Sequence, residues 1–524
     1  MAQRGTAIGR QRIDATIRGA WVDLTGGLSD GVLNDTLAVL HPKPWFSRAY
    51  RENRWDGRVR FWRRRSSDCV RIPAGLLGRL SRELGERHPE YALYSSRDPQ
   101  GLSAEVVSGL DLDVVEGMPL FPHQRDVAMR LLARRCGVAQ APTGSGKTLV
   151  VFTIAYTLYK LYGWRTLVIV PRRGLLTQTV ACFREWSADR VTIGAMGASR
   201  REDGVITVGT GQTLRQSKAH KRADHKHETG SRYFRADAEI RKCVECADVL
   251  ILDECQFAST DDWYDVAMHC PAQRRYGVSG TPLIGDTVAD VRLTAATGPL
   301  VARVREEDLQ RSSLFAAPRI VVVDAPTLAP PRRLDRRMKW CEVYRQAIVD
   351  NDALNRAVID AVRWLVLHGS TTIVFCRLRT HFNDLQRRLD ATDIPYVSVW
   401  GASSNAARAD AKRQLACGEA KVALVTTVWD VGEDVKGIGA LVFAEGGKSV
   451  VQTLQRVGRG TRRDTEDVWV VDFVPPAHTW LIDHAINRIE HYRSRGYDVT
   501  IMSEWVEPTY LPFEDWSVWP QRRV

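Results

Sequence analysis

Apolar residues fall along this chain in three spacings, and each predicts a different element. Short unbroken apolar runs predict buried strands: Gly137 to Ala141 before PTGSGKT, a Val-rich run before Pro171, and Val249 to Leu252 before Asp253. A longer run after the first of these, LVVFTIAYTLYKLYG, predicts an amphipathic helix. In IPAGLLGRLSRELGERH, Leu76, Leu77, Leu80 and Leu84 fall near one stripe, which predicts a short helix. Strict alternation appears in RVRFW, just after the turn pair Asp56-Gly57. It predicts a β-hairpin with Arg58 and Arg60 on one face and Val59 and Phe61 turned inward. Hairpin plus helix makes a compact α+β module ahead of an α/β region.

The first strand, a glycine-rich turn and a helix in succession are the context a phosphate loop needs. Gly144 and Gly146 let the backbone curl so that its N–H groups converge on a phosphate, with Pro142, Thr143 and Ser145 completing the loop. Lys147 is placed to reach the β- and γ-phosphates, and the Thr148 hydroxyl to ligate Mg²⁺. The apolar run ending in Asp253 and Glu254 supplies carboxylates at a strand's C-terminal end, where they face such a loop. Asp253 is expected to hold the Mg²⁺, and Glu254 to orient or deprotonate the attacking water.

In that order and spacing, PTGSGKT, LDECQ and VSGTP resemble motifs of the superfamily-two helicases. FPHQ resembles the adenine-reading motif, which puts Gln124 on the base edge. VIVPRRGLLTQ, VGTGQTL, TIVFCRLRTH, VTTVWDVGEDV and QTLQRVGRGTRR resemble the remaining motifs, in sequence, over residues 118–475. The resemblance implies two RecA-like parallel-sheet lobes with ATP and Mg²⁺ as cofactors. It makes Arg459 and Arg462 the arginine fingers, three apart on one helix face. Gln455 becomes the link between ATP and DNA, and Gly432 with Asp434 a contact to the ribose or the interdomain network. Where many relatives carry His or Asp after DE-x, this chain has Gln256. It keeps a donor and an acceptor but cannot titrate, so coupling without a histidine-like pH dependence is expected. Nucleic-acid contacts are expected at Pro171, Arg172 and Arg173, at Thr210, Gly211, Gln212 and Thr213, and at Arg377, Gly401, Thr426 and Thr427.

Upstream, RENRWDGRVRFWRRR packs seven arginines and three aromatic rings into fifteen residues. With the helix after it, this segment resembles the small N-terminal domain of UvsW-type phage recombination helicases, and HAINRIEHYRSRGYDV resembles their C-terminal end. Three segments follow: an accessory DNA-binding domain at 1–110, an ATP-binding lobe at 111–310, and a second lobe with its extension at 311–524. Arg58, Arg60 and Arg63 are the expected DNA contacts of the first. The resemblance implies an ATP-dependent DNA helicase or translocase moving 3′ to 5′ on forks, Holliday junctions and D-loops. The expected molecule is a monomer in the cytoplasm of a phage's host, with recombination or single-strand-binding proteins as further partners. XPB-like or restriction-type motors, and an ATP-switched annealing protein, are the rival readings.

Composition agrees and adds limits. At 524 residues with 44% apolar content the chain is globular and of several domains. Its formal charge of +12 calls for a polyanionic partner. Ten cysteines without framework spacing read as reduced thiols. Neither a signal core nor a run of 18 apolar residues is present, so no membrane partner is expected. His225, His227, Cys243 and Cys246 have zinc-like spacing. Yet Cys243 and Cys246 sit at i and i+3 of an expected helix, where core packing is the simpler reading.

Overall fold

The computed structural model describes residues 10–95, 102–142, 144–216, 232–283, 285, 287–305, 309, 318–324, 334–335, 337–426, 438–446, 468–475, 477–494 and 497–502. The chain divides into two compact units, Met1–Val304 and Arg305–Val524.

The first unit opens with seven strands: β1 (Gln11–Arg18), β2 (Trp21–Thr25), β3 (Ala38–Leu40), β4 (Arg58–Arg60), β5 (Arg63–Arg64), β6 (Cys69–Pro73) and β7 (Tyr91–Ser95). Five of them form a sheet in the order β5-β6-β2-β1-β7. Helix Leu77–Arg87 covers it, burying Leu80 and Leu84 as its leucine stripe requires. The expected hairpin at Asp56-Gly57 is not there. The residues before the turn, Arg48–Arg51, are helical, and β4 pairs instead with β3, antiparallel. Local chemistry accounts for the difference. The Asp56 carboxylate accepts the Arg58 N–H at 3.1 Å and ion-pairs with Arg60, so the turn is closed by a side chain rather than by a strand partner. The alternation itself holds: Arg58 and Arg60 are exposed, Val59 is half-buried and Phe61 is buried.

This small domain shares a hydrophobic core with the lobe that follows. Ile13, Leu24, Leu33, Phe61, Ile72 and Leu76 pack with Val288, Val291 and Ala295 of helix Thr287–Thr297. Gly75 lies so close to the Thr294 carbonyl that a Cβ could not be accommodated. Hydrogen bonds also stitch the seam: Trp21 Nε1 donates to the Met268 carbonyl at 3.0 Å, and Arg135 to the Gly19 carbonyl at 2.5 Å.

The lobe itself is an eight-stranded sheet: β8 (Cys136–Gln140), β9 (Thr166–Val170), β10 (Ile193–Gly197), β11 (Arg200–Glu202), β12 (Ile206–Thr210), β13 (Val249–Asp253), β14 (Arg274–Ser279) and β15 (Leu300–Arg303). The order is β11-β10-β12-β9-β13-β14-β8-β15, parallel throughout except for β11. Strands buried on both faces explain the unbroken apolar runs in the sequence.

The second unit is a parallel seven-stranded sheet: β16 (Pro318–Val323), β17 (Thr371–Cys376), β18 (Tyr396–Val399), β19 (Val422–Thr426), β20 (Ile438–Phe443), β21 (Val468–Phe473) and β22 (Asp498–Met502). They are ordered β18-β19-β17-β20-β21-β16-β22. The C-terminal extension is built into this lobe. Helix Thr479–Ser494 leads to β22, which pairs with β16, and Arg488 forms a fully buried two-pronged ion pair with Asp472 at 2.7 and 2.9 Å. The architecture is thus two RecA-like α/β lobes plus a small N-terminal α+β domain. Among the described residues no helix is long and apolar enough to cross a membrane.

Candidate active site

The turn after β8 has the curled backbone expected of a phosphate loop. Gly144 and Gly146 have φ of 84° and 78°, a region that glycine enters at little cost. Lys147 starts helix Lys147–Tyr162. Its ammonium is buried and donates to the Ala141 and Pro142 carbonyls at 3.1 and 3.2 Å, so the cation spans the cradle. The fit to a polyphosphate is good: a glycine-curled turn, a helix N-terminus and an enclosed cation. Thr143 lies outside the described residues.

Gln124 is buried against this loop. Its Nε2 donates to the Ser145 carbonyl at 2.9 Å, and its Oε1 accepts the Phe121 N–H at 3.0 Å. A Cβ on Gly146 would run into the Gln124 amide. The side chain expected on the base edge therefore also holds the phosphate loop in place. His123, not among the expected site residues, reaches the same Ser145 carbonyl at 3.0 Å, and burial pulls its pKa down, favouring the neutral ring.

Strand order sets the carboxylates. β14 lies between β8 and β13, so Asp253 and Lys147 follow strands two places apart in one parallel sheet, at the C-terminal ends where such sheets bind ligands. Asp253 is buried and its Oδ1 accepts the Glu254 N–H at 3.0 Å. Glu254 has φ 54° and ψ 53°, a left-handed conformation that costs a non-glycine residue about 1 kcal/mol or more. The backbone is thus turned to hold this carboxylate off the strand axis. Gln256 Nε2 donates to Glu254 Oε2 at 3.0 Å, and Gln256 Oε1 accepts the Ser279 hydroxyl at 2.5 Å. Ser279 Oγ in turn accepts the Thr281 N–H at 3.0 Å. Gln256 bridges the Asp-Glu segment to VSGTP through both ends of its amide. Ser279 is a site residue within VSGTP beyond those expected from the sequence. Its position as the last residue of β14, beside Gln140, is the signal that could have found it. Burial pushes the neighbouring Cys255 thiol well above its usual pKa, which makes it a packing group and not a nucleophile.

The remaining expected contacts divide by unit. In the first, Pro171, Arg172 and Arg173 form the turn from β9 into helix Arg173–Ser187, with both arginines exposed. Thr210 caps the short helix Gly211–Leu214, accepting the Thr213 N–H, while Gln212 is exposed and Gly211 packs against the Trp263 ring. In the second, Arg377 and Gly401 are exposed at the ends of β17 and β18, and Thr426 is buried at the end of β19. Beside them Arg379 lies over the Trp400 ring at 3.9 Å, a pair not foreseen from sequence. Thr427, Gly432, Asp434, Gln455, Arg459 and Arg462 lie outside the described residues, as do His225 and His227. Cys243 faces the core and its thiol pKa is pushed up to about 12, chiefly by burial, whereas Cys246 is exposed. Of the N-terminal arginines, Arg58 and Arg63 are exposed. Arg60 is engaged by Asp56 at 2.5 Å and Asn34 at 3.0 Å.

Comparison with known proteins gives three kinds of match. The family "Type III restriction enzyme, res subunit" matches residues 117–284, and "Helicase conserved C-terminal domain" matches residues 353–464. The ATP-dependent DNA helicase UvsW of Enterobacteria phage T4 is 28% identical over 187 residues, 32% of this chain and 36% of that protein. The match therefore spans about a third of that relative's length. Among solved structures, S. cerevisiae Dbp5 bound to RNA and ADP BeF3 aligns with a TM-score of 0.51 at 15% identity, over 77% of this chain and 95% of that one. The crystal structure of T4 UvsW aligns over 94% and 99% of the two chains, with a TM-score of 0.44 at 17% identity.

Proposed function

We propose that this chain is a superfamily-two helicase of the UvsW-like kind, an ATP-dependent motor that unwinds or branch-migrates forked and four-way DNA, moving 3′ to 5′. One observation carries the ATPase part. The Lys147 cradle and the Asp253–Glu254 carboxylates stand at the same edge of one parallel sheet, joined to VSGTP through Gln256 and Ser279.

In this reading the loop amides and Lys147 bind the β- and γ-phosphates of ATP. The Thr148 hydroxyl and the buried Asp253 carboxylate suit a Mg²⁺, which when bound supplies positive charge to the phosphate oxygens. Glu254 orients and deprotonates the attacking water, and its left-handed backbone fixes where that carboxylate points. Gln256 passes the state of the carboxylate to Ser279 and so to the segment after β14. Gln455, Arg459 and Arg462 keep the roles that motif order suggests.

DNA is the proposed polyanion. The net charge of +12, the exposed Arg172 and Arg173 of the first unit and the exposed Arg377 of the second support phosphate contacts that ignore base sequence. The test is ATPase and strand displacement on single strands, forks with either tail polarity, and four-way junctions. Displacement that needs ATP and a 3′ tail supports the proposal. ATP-dependent binding or annealing without displacement would favour a nucleotide-switched annealing protein instead.

A further inference from the structure

The connection between β3 and β4, residues 41–57, carries two layers of aromatic chemistry. The inner layer holds it together. His41 and Tyr50 meet Trp55 edge-on, with ring centroids at 5.9 and 6.3 Å. The Trp55 indole N–H donates to the Arg58 carbonyl at 2.8 Å. Gly57, with φ +76°, brings the backbone against Tyr50 and Pro44. The loop is therefore a small packed body.

The outer layer is uncovered. Trp45 and Phe46, on the turn Pro44–Phe46, are 56% and 74% exposed, with ring centroids 6.4 Å apart. Leu40, at the end of β3, is 60% exposed. Adjacent exposed aromatics on a rigid tip mark an interaction site. The charges around them indicate the partner. Arg48 and Arg54 are held by Glu52, and Arg60 by Asp56. Among the described residues Lys43, Arg51 and Arg58 have no carboxylate partner and remain for phosphates. Rings that can stack, on a loop that also carries these cations, fit a nucleic acid better than an apolar protein face. Two rings on one short turn cannot track along a strand, but they suit a single end-on stack.

The base of this projection is fixed to the lobe that carries the phosphate loop. Val39 of β3 belongs to the same core as Val288 and Val291 of helix Thr287–Thr297, which follows VSGTP in the chain. A load on the tip is thus borne by the first lobe.

We propose that Trp45 and Phe46 form a wedge that stacks on the terminal base pair where a DNA duplex branches, with Lys43, Arg51 and Arg58 on the flanking phosphates. The proposal deepens the DNA-motor reading and rests on it for the choice of DNA. The experiment places 2-aminopurine at the branch point of a fork, or well inside one arm, and follows its fluorescence on binding the full-length protein without ATP. Single-strand affinity and single-strand-stimulated ATPase are measured beside it.

Wild-type protein is expected to change the branch-point signal and not the arm signal. Trp45→Ala/Phe46→Ala is expected to lose that change and about tenfold in fork affinity, while single-strand affinity and ATPase stay within about twofold. Trp45→Phe/Phe46→Tyr, which keeps two stacking rings, is expected to behave as wild type. An unchanged fork signal in the Ala variant, or equal losses on forks and single strands, overturns the wedge. So does a wild-type dimer that the Ala variant dissolves with its DNA behaviour intact, since the patch would then be a protein interface. An ATPase that no DNA stimulates would sink the motor reading, yet the binding signal would still decide the wedge.

Discussion

The Ser279 hydroxyl donates to Gln256 Oε1 at 2.5 Å, while the other end of the same amide donates to Glu254 Oε2 at 3.0 Å. One uncharged side chain thus joins the carboxylate proposed to handle water to the last residue of the neighbouring strand. Gln256→Ala or Ser279→Ala removes that link without touching Lys147 or Asp253. ATP turnover is expected to stay within about threefold and strand displacement per ATP to fall about tenfold, the scale of one hydrogen bond of about 1.4 kcal/mol. Gln256→His should make coupling pH-dependent, falling below pH of about 6.5, because a protonated imidazole cannot accept from Ser279. Equal ATPase and displacement losses in Ser279→Ala would count against a coupling role.

Lys147→Ala removes the cation that spans the phosphate loop, and Glu254→Gln removes the proposed base while keeping an oxygen for Gln256. Both are expected to lower ATP turnover by about a hundredfold or more. DNA affinity in filter binding should change little, since neither side chain lies on an exposed strand-end loop. Near-normal turnover in either variant would remove the basis for the ATPase assignment.

The phosphate loop and the Asp253 strand were legible in sequence because their chemistry narrows the choice: glycine enters φ of 84° and 78° at little cost, and a strand buried on both faces is apolar. Non-local relations were not legible. Val288, Val291 and Ala295 read as one face of an ordinary helix, and nothing in their spacing says that a domain over 200 residues earlier closes on them. The Asp56-Gly57 turn misled for a local reason. Asp56 bonds Arg58 and Arg60 with its side chain, and Trp55 turns into the loop to meet Tyr50, so no strand forms before the turn. The Gln124 amide shows the same limit, since its contact with the Ser145 carbonyl depends on how two loops meet.

That shared core makes residues 1–110 part of the first lobe's stability. Deleting them would uncover Val288, Val291 and Ala295, so the truncated chain is expected to bind an apolar dye and melt earlier. A gentler probe is Gly75→Ala, whose methyl meets the Thr294 carbonyl; it is expected to cost about 2 kcal/mol or more. A truncated chain with wild-type Tm and no dye binding would show that the lobe closes its own core.

In the second unit, His381 Nε2 donates to Asn355 Oδ1 at 2.9 Å and Nδ1 is buried without a partner, so a second proton there has no acceptor. Burial, the largest cause, brings its pKa down from 6.5 to about 4. Because the folded pKa lies below the unfolded one, the unfolded chain binds the extra proton first as pH falls. Stability is therefore complete above pH of about 6.5 and declines toward pH of about 4, by an amount of order 3 kcal/mol. The urea midpoint of the second unit's transition should fall from pH 7 to pH 5 in wild type and fall less in His381→Gln. Identical pH slopes for the two proteins would refute this account.

The N-terminal arginines are not equivalent. Arg58 and Arg63 are exposed and have no carboxylate partner among the described residues, while Arg60 is locked between Asp56 and Asn34. A free guanidinium that meets a phosphate releases a counterion, so Arg58→Ala/Arg63→Ala should reduce the salt slope of fork binding by up to about two. The same pair should leave Tm unchanged, because exposed, unpaired arginines contribute little to the fold. Arg60→Ala should do the reverse, loosening the closure of the 41–57 loop with a small loss of stability and little change in salt slope. Titrations of fork DNA at several salt concentrations, with melting curves for each variant, separate the two roles. A salt slope that falls for Arg60→Ala as much as for either of the others would mean that its bond to Asp56 opens when DNA arrives.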